Sequence, residues 1–125
     1  NHFTQNKLPP TTQPITNLAN IITNLEQHGA PASHIYVLDM PNLANTPSAH
    51  GSTKNDPVKL GIITEFTKAY NTKLKSTLSQ YIPSSHIIEV SKMSDDINSH
   101  PDKYGFTNLF CKFQFFITSH NIKII

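Results

Sequence analysis

The side chains of this chain that could do chemistry are seven histidines, eight carboxylates, one cysteine and many serines, and their spacing limits what that chemistry can be. Four histidines directly follow a serine, at Ser33-His34, Ser85-His86, Ser99-His100 and Ser119-His120. Residues adjacent in sequence point apart on helices and strands, so none of these pairs forms a Ser–His catalytic bond locally. No two histidines stand as His-Glu-x-x-His or His-x-x-x-His, the spacings that bring two ligands onto one helical face. A single Cys111 excludes both an internal disulfide and a cysteine-based zinc site. Asp95-Asp96 with Asp102 could hold a cation, but acids gather at helix N-termini for dipole reasons alone. The four glycines, at 29, 51, 61 and 105, form neither Gly-x-Gly-x-x-Gly nor Gly-x-x-x-x-Gly-Lys, so no phosphate loop is present. The residues give no metal site, no cofactor and no self-contained catalytic set.

Charge and length bound the rest. Ten lysines, no arginine and eight acids leave a formal charge of +2, far from the dense basic surface that displaces phosphate counterions, which argues against nucleic acid as a partner. No apolar run approaches the ~20 residues that span a bilayer, so no transmembrane segment is expected. The N-terminus carries no basic stretch followed by an apolar one. At 125 residues and 37% hydrophobic content, one core is the most the chain can build.

The elements that must position these residues follow from periodicity and punctuation. Residues 1–13 are polar and proline-bearing and read as a lead-in or linker. Ile15, Leu18, Ile22 and Leu25, at spacings of 3, 4 and 3, predict a helix over 14–28 that stops at Gly29. Ile35 to Leu38 is a short run apolar on both faces, the pattern of a buried parallel strand. Asp39 to Pro57 is rich in proline, asparagine and serine and reads as a long loop. Asp56-Pro57 starts the strongest helix, whose apolar series runs from Leu60 through Phe66, Tyr70 and Leu74 to Tyr81 and ends at Ile82-Pro83. His86 to Val90 is a second strand, and Ser85-His86-Ile87 echoes Ser33-His34-Ile35. A short helix over Lys92–Ser99 and a turn at Gly105 follow. The phenylalanine-rich stretch from Leu109 to Ile117, with Ile122 to Ile125, reads as a strand or hairpin. The order of elements predicts an α/β fold with parallel strands joined by a helical crossover.

In such sheets ligands bind outside the carboxyl ends of the strands. The segment from Asp39 to Pro47 takes that place after the first strand, which makes Met40, Pro41, Asn42 and Leu43 candidate substrate-pocket residues. An ordinary solvated loop satisfies the same pattern.

Several of these segments together resemble the GDSL, or SGNH, lipase and esterase family. The helix from Asn17-Leu18 to Leu25, then Gly29-Ala30, the strand Ile35 to Leu38, Met40-Pro41-Asn42-Leu43 and Thr46-Pro47 are similar to that family's helix, Gly-Ala-Arg, apolar strand and Asn-Leu-Pro-x-Leu-Gly-x-Thr-Pro. Phe66-x-x-x-Tyr70-Asn71-x-x-Leu74 resembles its Phe-Asn-x-x-Leu helix, and Ile87 to Val90 the strand after it. Ile97-x-x-x-Pro101-x-x-Tyr104-Gly105-Phe106-Thr107-Asn108 is similar to a segment of the bacterial phospholipase and lysophospholipase members. The resemblance spans 14–108 and leaves 109–125 as a divergent tail.

The resemblance implies a three-layer α/β/α fold with a parallel sheet, cleaving carboxylic esters, often of lipids, without metal or cofactor. The family uses a serine in a Gly-Asp-Ser block, a histidine three residues after an aspartate, and an oxyanion hole completed by a glycine amide and an asparagine. Here Gly51-Ser52 lacks the aspartate, Asn55-Asp56 is preceded by Thr53 where the family has glycine, and no Asp-x-x-His exists. No residue of the chain is therefore assigned a catalytic role. The expectation is a central piece of a GDSL-type hydrolase, inactive alone, whose nucleophile and base lie outside it, and secreted or in the cell envelope by family analogy. Two alternatives stand beside it: a non-catalytic binding module on the same scaffold, and a truncated, frameshifted gene product.

Overall fold

Helix α1 (Thr12–Gln27) forms because Ile15, Ala19 and Ile22 recur on one face, and all three are buried. Pro14 falls in its first turn, where no N–H is needed, so the helix begins slightly ahead of the expected position. It ends where Gly29 takes a left-handed φ of 96°, which lets Ala30 N–H return to Leu25 C=O at 3.0 Å. The computed structural model describes residues 9–107 and 109, and the backbone of 115–118 and 121–124.

Two turns with the same sequence logic deliver the strands. Pro31-Ala32-Ser33-His34 and Pro83-Ser84-Ser85-His86 each close a 3-10 turn, with His34 N–H on Pro31 C=O at 2.9 Å and His86 N–H on Pro83 C=O at 2.8 Å. The strands that follow, β1 (Val37–Leu38) and β2 (Ile87–Ile88), pair in parallel with Val37 opposite Ile87 and Leu38 opposite Ile88. Asp39 N–H adds a further bond to Ile88 C=O at 3.0 Å. Both strands are shorter than the sequence pattern predicts.

Between them the expected loop 39–57 contains more structure than its composition implies. A 3-10 turn spans Leu43–Asn45, and helix α2 spans Pro47–Thr53, capped by Thr46 Oγ1 accepting from Ala49 N–H at 3.2 Å. The Thr-Pro pair is a helix start in its own right, and the loop-like composition hides it. Helix α3 (Pro57–Leu78) starts where expected, with the Asp56 carboxylate accepting from Val58 N–H at 2.9 Å. It completes the crossover. Helix α4 (Val90–Ser99) follows β2 directly, two residues earlier than predicted, and a 3-10 turn at Pro101–Tyr104 leads to Gly105.

The main core joins α1, α3 and the strand pair: Ile15, Ala19 and Ile22 meet Leu74, Leu78, Ile82 and Ile87, with Leu18, Ile35, Val37 and Tyr70 against them. A smaller cluster of Ala44, Ala49 and Ile63 seats α2 on α3. The sequence reading that β1 is apolar and buried on both faces is corrected here. Val37 and Ile87 face the core, but Leu38 is 65% and Tyr36 60% exposed, with Ile88 exposed beside them. Successive strand residues alternate faces, and the described residues pack against one face alone. The architecture is thus largely helical with a small parallel sheet, an α/β arrangement. In the tail, β3 (Phe115–Thr118) and β4 (Asn121–Ile124) pair antiparallel, as a hairpin reading expects. Residues 110–114, including Cys111, lie outside the described residues, as do 1–8 of the lead-in.

Candidate functional site

The carboxyl ends of β1 and β2 place two carboxylates, Asp39 and Glu89, on the side facing α3. The Asp39 side chain is wholly buried. Burying a charge requires partners, and Asp39 has three: Ser91 N–H at 2.8 Å, Ser91 Oγ–H at 2.5 Å and the Lys75 ammonium at 3.9 Å. Lys75 also donates to Glu89, which is paired in addition with Lys92. Hydrogen bonds from Lys75 and then Lys92 hold the Glu89 carboxyl far below the usual range, at about 2. The result is a chain of alternating charges running from β1 through α3 to the start of α4.

Beside this chain a cleft of about 250 Å³ opens, lined by Asn42 of the loop, by Thr64, Thr67, Lys68, Asn71, Thr72 and Lys75 of α3, and by Ser91 and Asp95 of α4. Thr64, Thr67, Asn71 and Lys75 recur at three and four residues along α3, so they share one stripe of that helix next to the buried Phe66, Leu74 and Leu78. The stripe holds the loop after β1. Asn71 Nδ2 donates to Met40 C=O at 2.7 Å and its Oδ1 accepts from Met40 N–H at 2.8 Å. Thr67 Oγ1 accepts from Leu43 N–H at 3.5 Å, and Asn42 Nδ2 lies 3.3 Å from Thr64 Oγ1. A second groove, of about 680 Å³, shares Lys75 and is lined by Ser76, Ser79, Ser84, Ser85, Ile87 and Glu89.

Of the four residues singled out in sequence, Asn42 lines the cleft. Met40 contributes its backbone to the Asn71 pairing, Leu43 packs toward Ala44 and Ile63, and Pro41 is half-buried beside them. Asp39, Asn71, Lys75, Glu89 and Ser91 complete the site, although the sequence pattern assigns none of them a role in it. A signal existed for two of them, because Asp39 and Glu89 each stand directly after a strand, where α/β folds collect polar function.

Ser91 Oγ–H donates to the Asp39 carboxylate and not to an imidazole, so no Ser–His pair forms at this position. Four histidines among the described residues make contacts elsewhere. His28 Nδ1 donates to Asn24 C=O at 2.8 Å and His86 Nδ1 to Ile35 C=O at 3.1 Å, while the His86 ring stacks on Tyr36 with centroids 4.1 Å apart. His50 Nδ1 lies 2.8 Å from Asn55 Oδ1. His100 Nδ1 lies 3.1 Å from Asp96, which also accepts from Lys103 at 3.1 Å and from the Tyr104 hydroxyl. Those partners, Tyr104 first, hold the Asp96 carboxyl down at about 2. Asp95, Asp96 and Asp102 do not converge, and among the described residues no group of three or more His, Cys, Asp or Glu side chains is placed to hold a metal.

The fold and site define an α/β chain with a parallel strand pair and a polar cleft at its carboxyl end. Comparison of the chain with protein-family models, curated proteins and solved structures finds no match. Among the described residues no helix is long and apolar enough to cross a membrane.

Proposed function

We propose that the chain is the central part of a GDSL-type, or SGNH, carboxylic-ester hydrolase domain of three-layer α/β/α build. It supplies the parallel strand pair, the crossover helix and a polar wall of the substrate cleft, while the nucleophilic serine and its histidine base come from outside these residues. The observation that carries the reading is the loop 40–46: it leaves the carboxyl end of a parallel strand, is pinned to α3 by Asn71 and Thr67, and turns Asn42 into the cleft. That is where an α/β hydrolase places substrate contacts. In the complete enzyme the substrate is a lipid-type ester such as a glycerolipid or lysophospholipid. Asn42, Thr64 and the Lys75 ammonium are the groups that meet its polar part. Acyl transfer runs through the outside serine, and this chain orients substrate without exchanging a proton with it.

A second reading, a non-catalytic interaction module, is favoured by the exposed apolar side chains of Tyr36, Leu38 and Ile88. One experiment separates the two. The purified chain is assayed with p-nitrophenyl butyrate, alone and after co-refolding with polypeptides that carry a Gly-Asp-Ser block and an Asp-x-x-His block of a GDSL hydrolase. The expected result is no turnover alone and turnover in the reconstituted mixture. Turnover by the chain alone overturns the assignment of the nucleophile elsewhere. A mixture that binds the added segments and stays inactive overturns the hydrolase reading in favour of the module.

A further inference from the structure

Helix α4 is tied to the rest of the described chain by polar contacts and by no fully buried side chain. None of its ten residues is buried, and Met93 is 56% exposed. Its own N-cap residue, Glu89, makes no side-chain capping bond. The N–H of Ser91 in its first turn goes instead to the carboxylate of Asp39, which lies 52 residues earlier and is wholly buried at the end of β1. Ser91 Oγ donates to that same carboxylate, so one side chain on the fixed body of the fold holds two groups of the helix start. The tie from Glu89 to Lys75 secures the residue immediately before the helix. At the far end, Asp96 of α4 gathers His100 and, from the 3-10 turn, Lys103 and Tyr104, and His100 N–H bonds Asp96 C=O at 2.9 Å. Helix and turn are thereby joined into one body.

We infer that residues 90–104 open as one cooperative unit, latched at the front by Asp39 and Ser91, and that this unit is the movable wall of the polar cleft. Segments with little buried apolar surface open locally at far lower free energy than the whole fold. Here no side chain of α4 is fully buried, Val90 and Ile97 being half-buried, and the polar latch sets the opening equilibrium. Ser91 and Asp95 line the cleft from α4, whereas Asn42, Thr64, Thr67 and Asn71 line it from α3 and the loop pinned to it. Release of the latch withdraws the first pair and leaves the second group in place, so the cleft widens without unfolding its floor. The device stands on geometry alone and does not depend on the hydrolase reading.

Native-state hydrogen exchange on the full chain tests it, with Ser91→Ala, Asp39→Asn and Asp39→Ala compared with wild type. Ser91→Ala removes one of the two latch bonds and leaves the Ser91 backbone bond, so it tests the latch even if Asp39→Ala fails to fold. The expected result is exchange of the amides of 94–99 that is faster by about 10-fold in Ser91→Ala and up to about 100-fold in the Asp39 variants. Protection of Ile22, Leu74 and Leu78 stays at the wild-type level. Unchanged exchange in α4 overturns the latch. Exchange that rises equally in α4 and at Leu74 and Leu78 overturns the independent unit, because α4 then opens only with the whole fold.

Discussion

The side-chain amide of Asn71 pairs with both the N–H and the C=O of Met40, at 2.8 and 2.7 Å, as a neighbouring strand residue would. The loop leaving β1 would otherwise present two unsatisfied groups against the half-buried face of α3. Replacing Asn71 with Ala leaves both unpaired, at about 1–3 kcal/mol for each buried group that water does not reach. Part of the loop is open to water, so a total near 2 kcal/mol is expected as a lower urea midpoint. Asn71→Asp keeps the acceptor for Met40 N–H but sets a carboxylate oxygen against Met40 C=O. It should destabilise at least as much as Asn71→Ala. A stable Asn71→Asp protein would show that the carbonyl contact contributes nothing.

How far the sequence reveals this arrangement depends on the range of each interaction. Asp56-Pro57, the spacing of Ile15 and Ile22, and the series Phe66, Leu74, Leu78 act within one helix, and both helices form, α1 starting two residues ahead of the expected position and α3 ending at Leu78, before the expected stop at Ile82-Pro83. The echoed Ser-His-Ile segments mark two equivalent turns feeding paired strands. Helix α2 is hidden because Gly51, Ser52 and Pro47 carry a loop composition while Thr46 supplies a cap. The outer face of β1 is misread because Tyr36 and Leu38 are apolar yet exposed, and burial depends on what packs there, not on the strand's own residues. Asn42 is legible as a cleft residue from its place after a strand. Asn71, Lys75 and Ser91 are not, since their partners lie 31, 14 and 52 residues away and no local pattern encodes those pairings.

Acid sensitivity should centre on Glu89 and Asp96. Lysine contacts lower Glu89 from 4.5 to about 2, and Tyr104 with Lys103 lowers Asp96 from 3.8 to about 2. A carboxyl whose folded value is depressed adds stability above its unfolded pKa and loses it as pH falls through the folded one. Stability should therefore decline as pH drops from about 4.5 toward 2 and be flat in that respect above it. Glu89→Gln should flatten the decline, as should Asp96→Asn within its narrower window. High salt should shrink the Glu89 effect, because Lys92 is 75% exposed and exposed pairs are screened. Urea midpoints measured across this range provide the check. Parallel profiles for wild type and Glu89→Gln would remove Glu89 from the account.

Two glycines should respond to alanine with opposite sign, and the reason is conformation alone. A Cβ built at Gly61, exposed in the interior of α3, meets nothing within 4 Å, and one at Gly29 likewise meets nothing. Contacts therefore decide neither outcome. Gly61 has helical geometry that alanine adopts readily, so Gly61→Ala reduces the freedom of the unfolded chain and stabilises by about 0.5–1 kcal/mol. Gly29 has a φ of 96°, which an L side chain rarely adopts, and that conformation lets Ala30 close the end of α1 on Leu25. Gly29→Ala must strain the turn or break that bond, at a cost of about 1–2 kcal/mol. Urea denaturation should give a higher midpoint for the first and a lower one for the second, with m-values unchanged. Shifts of the same sign would mean that packing unseen at these positions, not backbone geometry, governs them.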